Sequence, residues 1–211
     1  MNPVYDIVLL PPQSVDKNSI MVSRQLSQFG TEFILQKNIL YPHLSLYMVN
    51  LTPENVDKTT RLLADIAAKM PPLQLEAMRY AHDFTQGMFE ITYKENKALD
   101  QLQQKLIAVI NPLREGLRIK DPVGHILAKW LPKQTGELRN NLERYGYDEV
   151  GNFFRPHITF TRFIKRDTSV ILSQLPPVEE FNGVFTQLGL FEMGEHGTCI
   201  REIATFHSHT K

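Results

Sequence analysis

Two hexapeptides constrain this chain more than any other feature. Tyr41-Pro42-His43-Leu44-Ser45-Leu46 and Arg155-Pro156-His157-Ile158-Thr159-Phe160 share one pattern: proline, histidine, apolar, hydroxyl, apolar. Their histidines, at 43 and 157, lie 114 positions apart, about half of the 211 residues. Both segments are rich in strand formers. In a strand, side chains alternate between faces, so residues two apart point the same way. His43 and Ser45 then share one face, and Leu44 and Leu46 the other. His157 with Thr159, and Ile158 with Phe160, repeat the division. Each strand buries an apolar pair and presents an imidazole beside a hydroxyl. Brought together, the strands put two imidazoles and two hydroxyls around one pocket, which reads as two similar lobes sharing a cleft.

The rest of the chain supports a mixed architecture. Strands are predicted over 4–10, 40–51, from 73 to 77, and over 87–93, 126–131, 154–163, 180–193 and 198–206. A turn, Gly194-Glu195-His196-Gly197, joins the last two. Helices are predicted over 16–29, with Ile20, Leu26 and Phe29 inward, over 54–70, from Asn96 through Leu113, and over 136–145. Thr52-Pro53 supplies a cap residue followed by proline, the preferred opening of a helix. Strands and helices do not alternate regularly, so the class is α+β rather than a doubly wound parallel sheet. Residues 116–151 are the least legible part. No linker or low-complexity segment divides the chain, and residues 1–211 are read as a single domain.

Composition excludes several functions. Apolar residues make up 42% and charged residues 22%, as in ordinary globular proteins. Lys+Arg and Asp+Glu are both 23. A protein that follows a long phosphate backbone gains affinity from a basic excess, so no extended nucleic-acid groove is expected. A small phosphorylated ligand is compatible with this balance. The single cysteine, Cys199, forms no internal disulfide and fits a reducing, cytoplasmic setting. The apolar run at 7–10 has no basic segment ahead of it and meets Pro11-Pro12, so it reads as a strand and not a signal peptide. No apolar stretch reaches the length of a membrane span.

Phosphate-ester chemistry wants the residue set of the two motifs. One group must take a proton from the nucleophile and another must give one to the leaving oxygen; two histidines titrating near neutrality can do both. Ser and Thr hydroxyls can hold the non-bridging oxygens where negative charge stays. No carboxylate joins either motif and hydroxyls are poor zinc ligands, so neither a metal nor another cofactor is expected.

The paired His-apolar-Ser/Thr-apolar motifs, with Arg-Pro before the second histidine, resemble the two-histidine (2H) phosphoesterase superfamily. That superfamily includes 2'-5' RNA ligase-like proteins and 2',3'-cyclic phosphodiesterases. The motif spacing, the helix after the first motif and the strand–helix unit from Gly87 to Leu113 match its layout. The resemblance implies a bilobal, pseudo-twofold α+β fold with antiparallel sheets, flanking helices and a central cleft. It implies His43 and His157 as the acid–base pair and Ser45 and Thr159 as phosphate binders. It implies an enzyme that opens a 2',3'-cyclic phosphate or a related 2'-5' phosphodiester on a small nucleotide or an RNA end. RNA-end processing, 2'-5' ligation and a silent nucleotide-binding module are the alternatives. Which histidine is the base stays open. Residues 116–151, longer than in the smallest members, are read as shaping specificity.

Other residues carry weaker expectations. Tyr41 and Tyr47 are even steps from His43, so both can face the cleft and stack on a base, or be packing tyrosines. Arg155, Arg162, Lys165 and Arg166 form a basic cluster around the second motif. Arg155 is a candidate substrate contact, while Lys165 and Arg166 read as a solvated strand end. Arg162 is an odd number of residues from His157, so an unbroken strand turns it away, and it is unassigned. His82 and His125 read as loop histidines, His207 and His209 as a solvated tail, and Cys199 as a packed thiol.

Overall fold

The computed structural model describes residues 3–208. In chain order the elements are β1 (Val4–Leu10), α1 (Gln13–Leu26), β2 (Leu44–Asn50), α2 (Pro53–Ala67), β3 (Leu73–Leu75), β4 (Ala77–Asp83), β5 (Met88–Tyr93), α3 (Lys97–Ile110), α4 (Leu127–Trp130), α5 (Gly136–Tyr145), β6 (His157–Arg162), β7 (Gly183–Phe185), β8 (Gln187–Met193) and β9 (Cys199–His207). The fold is α+β, with antiparallel sheets and flanking helices. One sheet runs β2-β1-β8-β9, a second β4-β5-β6, and β3 pairs with β7. Every strand pair is antiparallel.

Local chemistry accounts for the helix starts. Thr52 Oγ1 accepts from the Asn55 amide at 3.2 Å, with Pro53 first in α2. Asn96 Oδ1 accepts from the Ala98 and Leu99 amides at 3.0 and 3.1 Å and opens α3. These bonds satisfy amides that a helix start leaves without partners. Leu99, Leu102, Leu106 and Ile110 then give α3 its buried stripe. α2 packs beneath β8 and β9, α3 packs against β2, and α1 crosses to pack against β6.

Several expectations are corrected. Residues 127–130 form a short helix, not a strand. The stretch 180–193 is divided: a 3-10 turn over Val178–Phe181 precedes β7, which leaves for β3, and only β8 joins the large sheet. β4 extends through Asp83, so His82 lies in a strand rather than a loop. His207 closes β9 and is no tail, while His209 lies outside the described residues. Phe29 is exposed and Val15 and Val22 take the inward positions of α1.

The two histidine strands occupy corresponding places. β2 is an edge of its sheet and pairs with β1; β6 is an edge of the other sheet and pairs with β5. The two edges approach each other. Each carries a bulge at the same motif position. In β2, Ser45 and Tyr47 sit opposite the consecutive Val8 and Ile7, so Leu46 is the extra residue. In β6, Thr159 and Thr161 sit opposite Glu90 and Phe89, so Phe160 is the extra one. A bulge reverses the facing of every residue beyond it.

Candidate active site

His43, Ser45, His157 and Thr159 line one cavity of about 190 Å³ between the two histidine strands. Each imidazole is held the same way. His43 Nδ1 lies 2.7 Å from the Tyr41 carbonyl oxygen, and His157 Nδ1 lies 2.6 Å from that of Arg155. A carbonyl only accepts, so Nδ1 carries the proton in both rings and donates it. Nε2 is left for the cleft.

A carboxylate from the neighbouring strand stands behind each Nε2. Asp6 Oδ2 of β1 is 3.7 Å from His43 Nε2, and Glu90 Oε2 of β5 is 3.6 Å from His157 Nε2. The expectation that no carboxylate joins the motifs is therefore corrected. Both acids are distant in sequence and arrive through strand pairing, which only the register reveals.

The halves differ in charge. Burial drives the Asp6 carboxyl up to about 7, against a hydrogen bond from Ser45. Burial also drives His43 down to about 4. Both shifts favour the uncharged form: near neutrality His43 is uncharged and Asp6 is close to its midpoint, so the two are not an ion pair. Burial pulls His157 down as well, but Glu90 and Glu149 outweigh it and its pKa is raised. His157 and Glu90 are an ion pair, to which Arg155 adds a hydrogen bond on Glu90 Oε1. The hydroxyls differ too. Ser45 Oγ donates to Asp6 Oδ2 at 2.6 Å, whereas Thr159 makes no side-chain hydrogen bond among the described residues.

The remaining sequence expectations divide. Arg155 lines the cavity. Tyr47 does not: the Leu46 bulge turns it to the core, where its hydroxyl lies 2.8 Å from both Asn111 Oδ1 and the Tyr145 carbonyl oxygen and donates its one proton to one of them. Tyr41 is also outside the cavity lining, its ring 4.8 Å from Phe191. The basic cluster does not form an open phosphate patch. Arg162 returns to the cleft side because of the Phe160 bulge, but it is spent on the Gln86 and Val123 carbonyls and on His196 Nδ1. Arg166 Nη2 lies 3.6 Å from Glu32. Asp83, Glu90, Asp121, Asp148 and Glu149 also line the cavity, so its lining is acidic. His82 is packed among Phe84, Phe89 and Phe163, and burial lowers its pKa. His125 Nδ1 meets Asp121 Oδ2 at 2.6 Å and stacks on Trp130.

Residues 116–151 build one wall. Asp121, Pro122, Val123, Tyr147, Asp148 and Glu149 all line the cavity. Arg118, only 2% exposed, ties the wall to β2: Nε donates to the Gly146 carbonyl at 3.3 Å, Nη1 lies 3.2 Å from Met48 Sδ, and the guanidinium sits 5.5 Å from the Tyr147 ring centre. His196, with φ of 58°, lines the cavity from the β8–β9 turn, beside the Asp121–Val123 part of this wall. Nothing in the sequence marks Tyr147, Glu149 or His196 as wall residues.

Asp6, His43 and Cys199 each offer a donor atom, all within 4.8 Å of one another. The set does not fit a metal ion. It offers three donors where a closed structural site takes four. Asp6 Oδ2 is already engaged by Ser45.

Comparison with known proteins places the chain. A family model described as "Protein of unknown function (DUF1045)" matches residues 50–185, more than half of the chain. The chain belongs to the DUF1045 family. That match includes the second histidine motif and begins just after the first. Among curated proteins none matches in sequence. Solved structures are similar over the whole chain. Escherichia coli LigT complexed with 3'-AMP has a TM-score of 0.61 at 12% identity, with 100% of both chains covered. LigT complexed with phosphate has 0.58 at 13%, with 99% of each covered. A structure described as a phosphoesterase has 0.56 at 12%, with 100% of both covered. The resemblance to two-histidine phosphoesterases, drawn first from the motifs, thus extends to the entire fold of this DUF1045 member. Among the described residues no helix is long and apolar enough to cross a membrane.

Proposed function

We propose that this chain is a metal-independent phosphoesterase, one bilobal domain that opens a 2',3'-cyclic phosphate or a related 2'-5' phosphodiester by two-histidine acid–base catalysis. One observation carries the reading. Two imidazoles on facing strands present Nε2 to one cavity, and their surroundings favour opposite protonation states. A neutral His43 is the base and a protonated His157 the acid. His43 Nε2 takes a proton from water as its oxygen attacks phosphorus. The ester P–O bond breaks, and His157 Nε2–H protonates the departing oxygen. Solvent then returns His43 to neutral and His157 to its charged form. Ser45 and Thr159 hold the non-bridging oxygens.

The cavity supports a small substrate. A cyclic diester carries one negative charge, which the His157 cation offsets. A polyanion would meet Asp83, Asp121 and Glu149 in the lining. The same lining disfavours an RNA strand and hence the ligase-like alternative. LigT complexed with 3'-AMP and with ATP makes a small nucleotide the reasonable first ligand to try. A cytoplasmic location belongs to the same proposal.

The test is an activity panel of 2',3'-cyclic nucleotides and short 2'-5' and 3'-5' oligonucleotides, run in EDTA, on the wild type and on His43→Ala and His157→Ala. The expected result is EDTA-resistant hydrolysis of a cyclic or 2'-5' diester, lost by about two orders of magnitude or more in either variant. Activity that survives both substitutions would remove the site assignment. No turnover of any member would favour the nucleotide-binding alternative.

A further inference from the structure

We propose that Asp6 is a positioning residue whose protonated carboxyl releases the Ser45 hydroxyl to bind the substrate phosphate, so that phosphate enters the site together with a proton. This rests on the reading of Ser45 as a phosphate ligand.

The geometry leads to it. Asp6 is fully buried on β1, a central strand of the large sheet. Its Oδ2 is 2.6 Å from Ser45 Oγ, and its Oδ1 is buried without a partner. A hydroxyl has one proton. While Asp6 is ionised, that proton points inward at the carboxylate, and only oxygen lone pairs face an incoming phosphate. Two acceptors then meet, and a buried negative charge stands behind the hydroxyl. Protonating Asp6 reverses the direction of the bond: the carboxyl donates to Ser45 Oγ, and the hydroxyl proton turns to the phosphate oxygen. Thr159 needs no such device, since no carboxylate takes its proton.

The groups packed around Asp6 agree. His43 and Ser45 face it from the β2 motif, Cys199 from β9, Tyr147 and Glu149 from the cavity wall, His157 from β6 and Arg118 from the segment after α3. Burial is the largest influence and raises its pKa to about 7; Ser45, Arg118 and His157 pull it down and Glu149 pushes it up. Asp6 is therefore poised to change charge near neutrality. A phosphate held by Ser45 adds negative charge nearby and favours the protonated form further.

Sulfate is the probe, because it stays a dianion from pH 5.5 to 9 and needs no turnover. Calorimetric titration in two buffers of different ionisation heat counts the protons taken up. At pH 8 the wild type is expected to take up more protons per sulfate than Asp6→Asn, by a difference approaching one. Its affinity is expected to fall by up to about tenfold more per pH unit above the midpoint. In Asp6→Asn the amide can donate to Ser45 permanently, so only the titration of His157 remains. Ser45→Ala keeps Asp6 but has no hydroxyl to release; it is expected to bind sulfate more weakly and to lose the same extra proton. It also serves if Asp6→Asn does not fold. Equal proton uptake by the wild type and Ser45→Ala would overturn the proposal, as would equal uptake by Asp6→Asn. A protein that shows the extra proton but turns over no diester would break the phosphoesterase reading and leave this one standing.

Discussion

The two halves of the cleft are built alike and charged differently. Each has an edge strand with Pro-His-apolar-hydroxyl, a bulge at the fourth motif position after the proline, and a ring held at Nδ1 by a carbonyl two residues back. Each has a carboxylate from the adjacent strand within 3.7 Å of Nε2. Yet Asp6 and His43 are both driven toward neutrality by burial, while Glu90 and His157 form an ion pair supported by Arg155 and Glu149. Backbone symmetry thus supplies two similar proton carriers. The difference between an aspartate sealed in the sheet and a glutamate paired with arginine gives them different tasks.

The largest effect that tests this contrast is loss of either imidazole, but the pH profile separates the two. On the proposed reading, kcat/KM of the wild type falls on the acid side as His43 gains a proton near pH 4. It falls on the alkaline side as His157 loses one, above the ordinary histidine value. His43→Ala should lose about 10²- to 10⁴-fold and abolish the acid limb due to His43; His157→Ala should lose as much and abolish the alkaline limb due to His157, leaving the one set by Asp6. Exchanged limbs would reverse the assignment of base and acid. Glu90→Gln is the next largest test. It removes the largest charge that raises His157, so the alkaline limb should move down. Activity should fall more at pH 8 than at pH 6. An unmoved limb would mean that Glu90 does not set the His157 charge.

How much of this contrast the sequence carries can be traced residue by residue. The two motifs are visible because strand alternation ties His to hydroxyl two residues on, and the capped helices α2 and α3 are visible because Thr52-Pro53 and Asn96 are local signals. The carboxylates are not visible, because Asp6 and Glu90 reach the histidines only through antiparallel register. The bulges at Leu46 and Phe160 are not visible either, since one extra residue leaves no compositional trace. That is why Tyr47 turns to the core and Arg162 to the cleft, against simple alternation. β4 escaped because Met78, Arg79 and His82 do not alternate in polarity. Within residues 116–151 the helix over 136–145 is legible, but the rest is not, because the short helix and turns there are ordered by Arg118 and by contact with the rest of the molecule, not by a periodic pattern.

Folding stability offers a test of the first half that needs no substrate. A carboxyl raised on folding lowers stability as pH rises from the unfolded value, about 3.9, toward the folded value of about 7. A histidine lowered on folding does the reverse: the unfolded chain binds the proton first, so stability falls as pH drops from about 6.5 toward 4. Between pH 4.5 and 6 these two slopes oppose each other in the wild type. Asp6→Asn should uncover the histidine slope, its stability rising with pH relative to wild type by up to about 1.4 kcal/mol per unit in urea unfolding. His43→Gln should uncover the opposite slope of similar size. If Asp6 and His43 were instead a buried ion pair, the wild type itself would lose stability as pH falls below about 3.9 and as it rises above about 6.5.

The smallest effect concerns what the bulges position. Met48 and Arg162 are the same three residues beyond Ser45 and Thr159, and both return to the cleft side. Each then steadies a part of the wall that carries no proton. Met48 receives Arg118 at its sulfur. Arg162 binds the Val123 carbonyl at 3.2 Å and His196 at 3.0 Å, joining the segment after α3 to the β8–β9 turn. Neither side chain carries a proton that the reaction uses, so both should act on binding rather than on the chemical step. Arg162→Met makes the two positions alike. It removes hydrogen bonds worth about 1 kcal/mol each at a partly buried site, so KM should rise by about fivefold with kcat within about twofold. Met48→Leu keeps the volume and loses only a weak sulfur contact, and should change KM by less than about twofold. A fall in kcat for Arg162→Met as large as that for Glu90→Gln would mean that the wall helps set the charge on His157, and that the two halves are not as separable as their strands suggest.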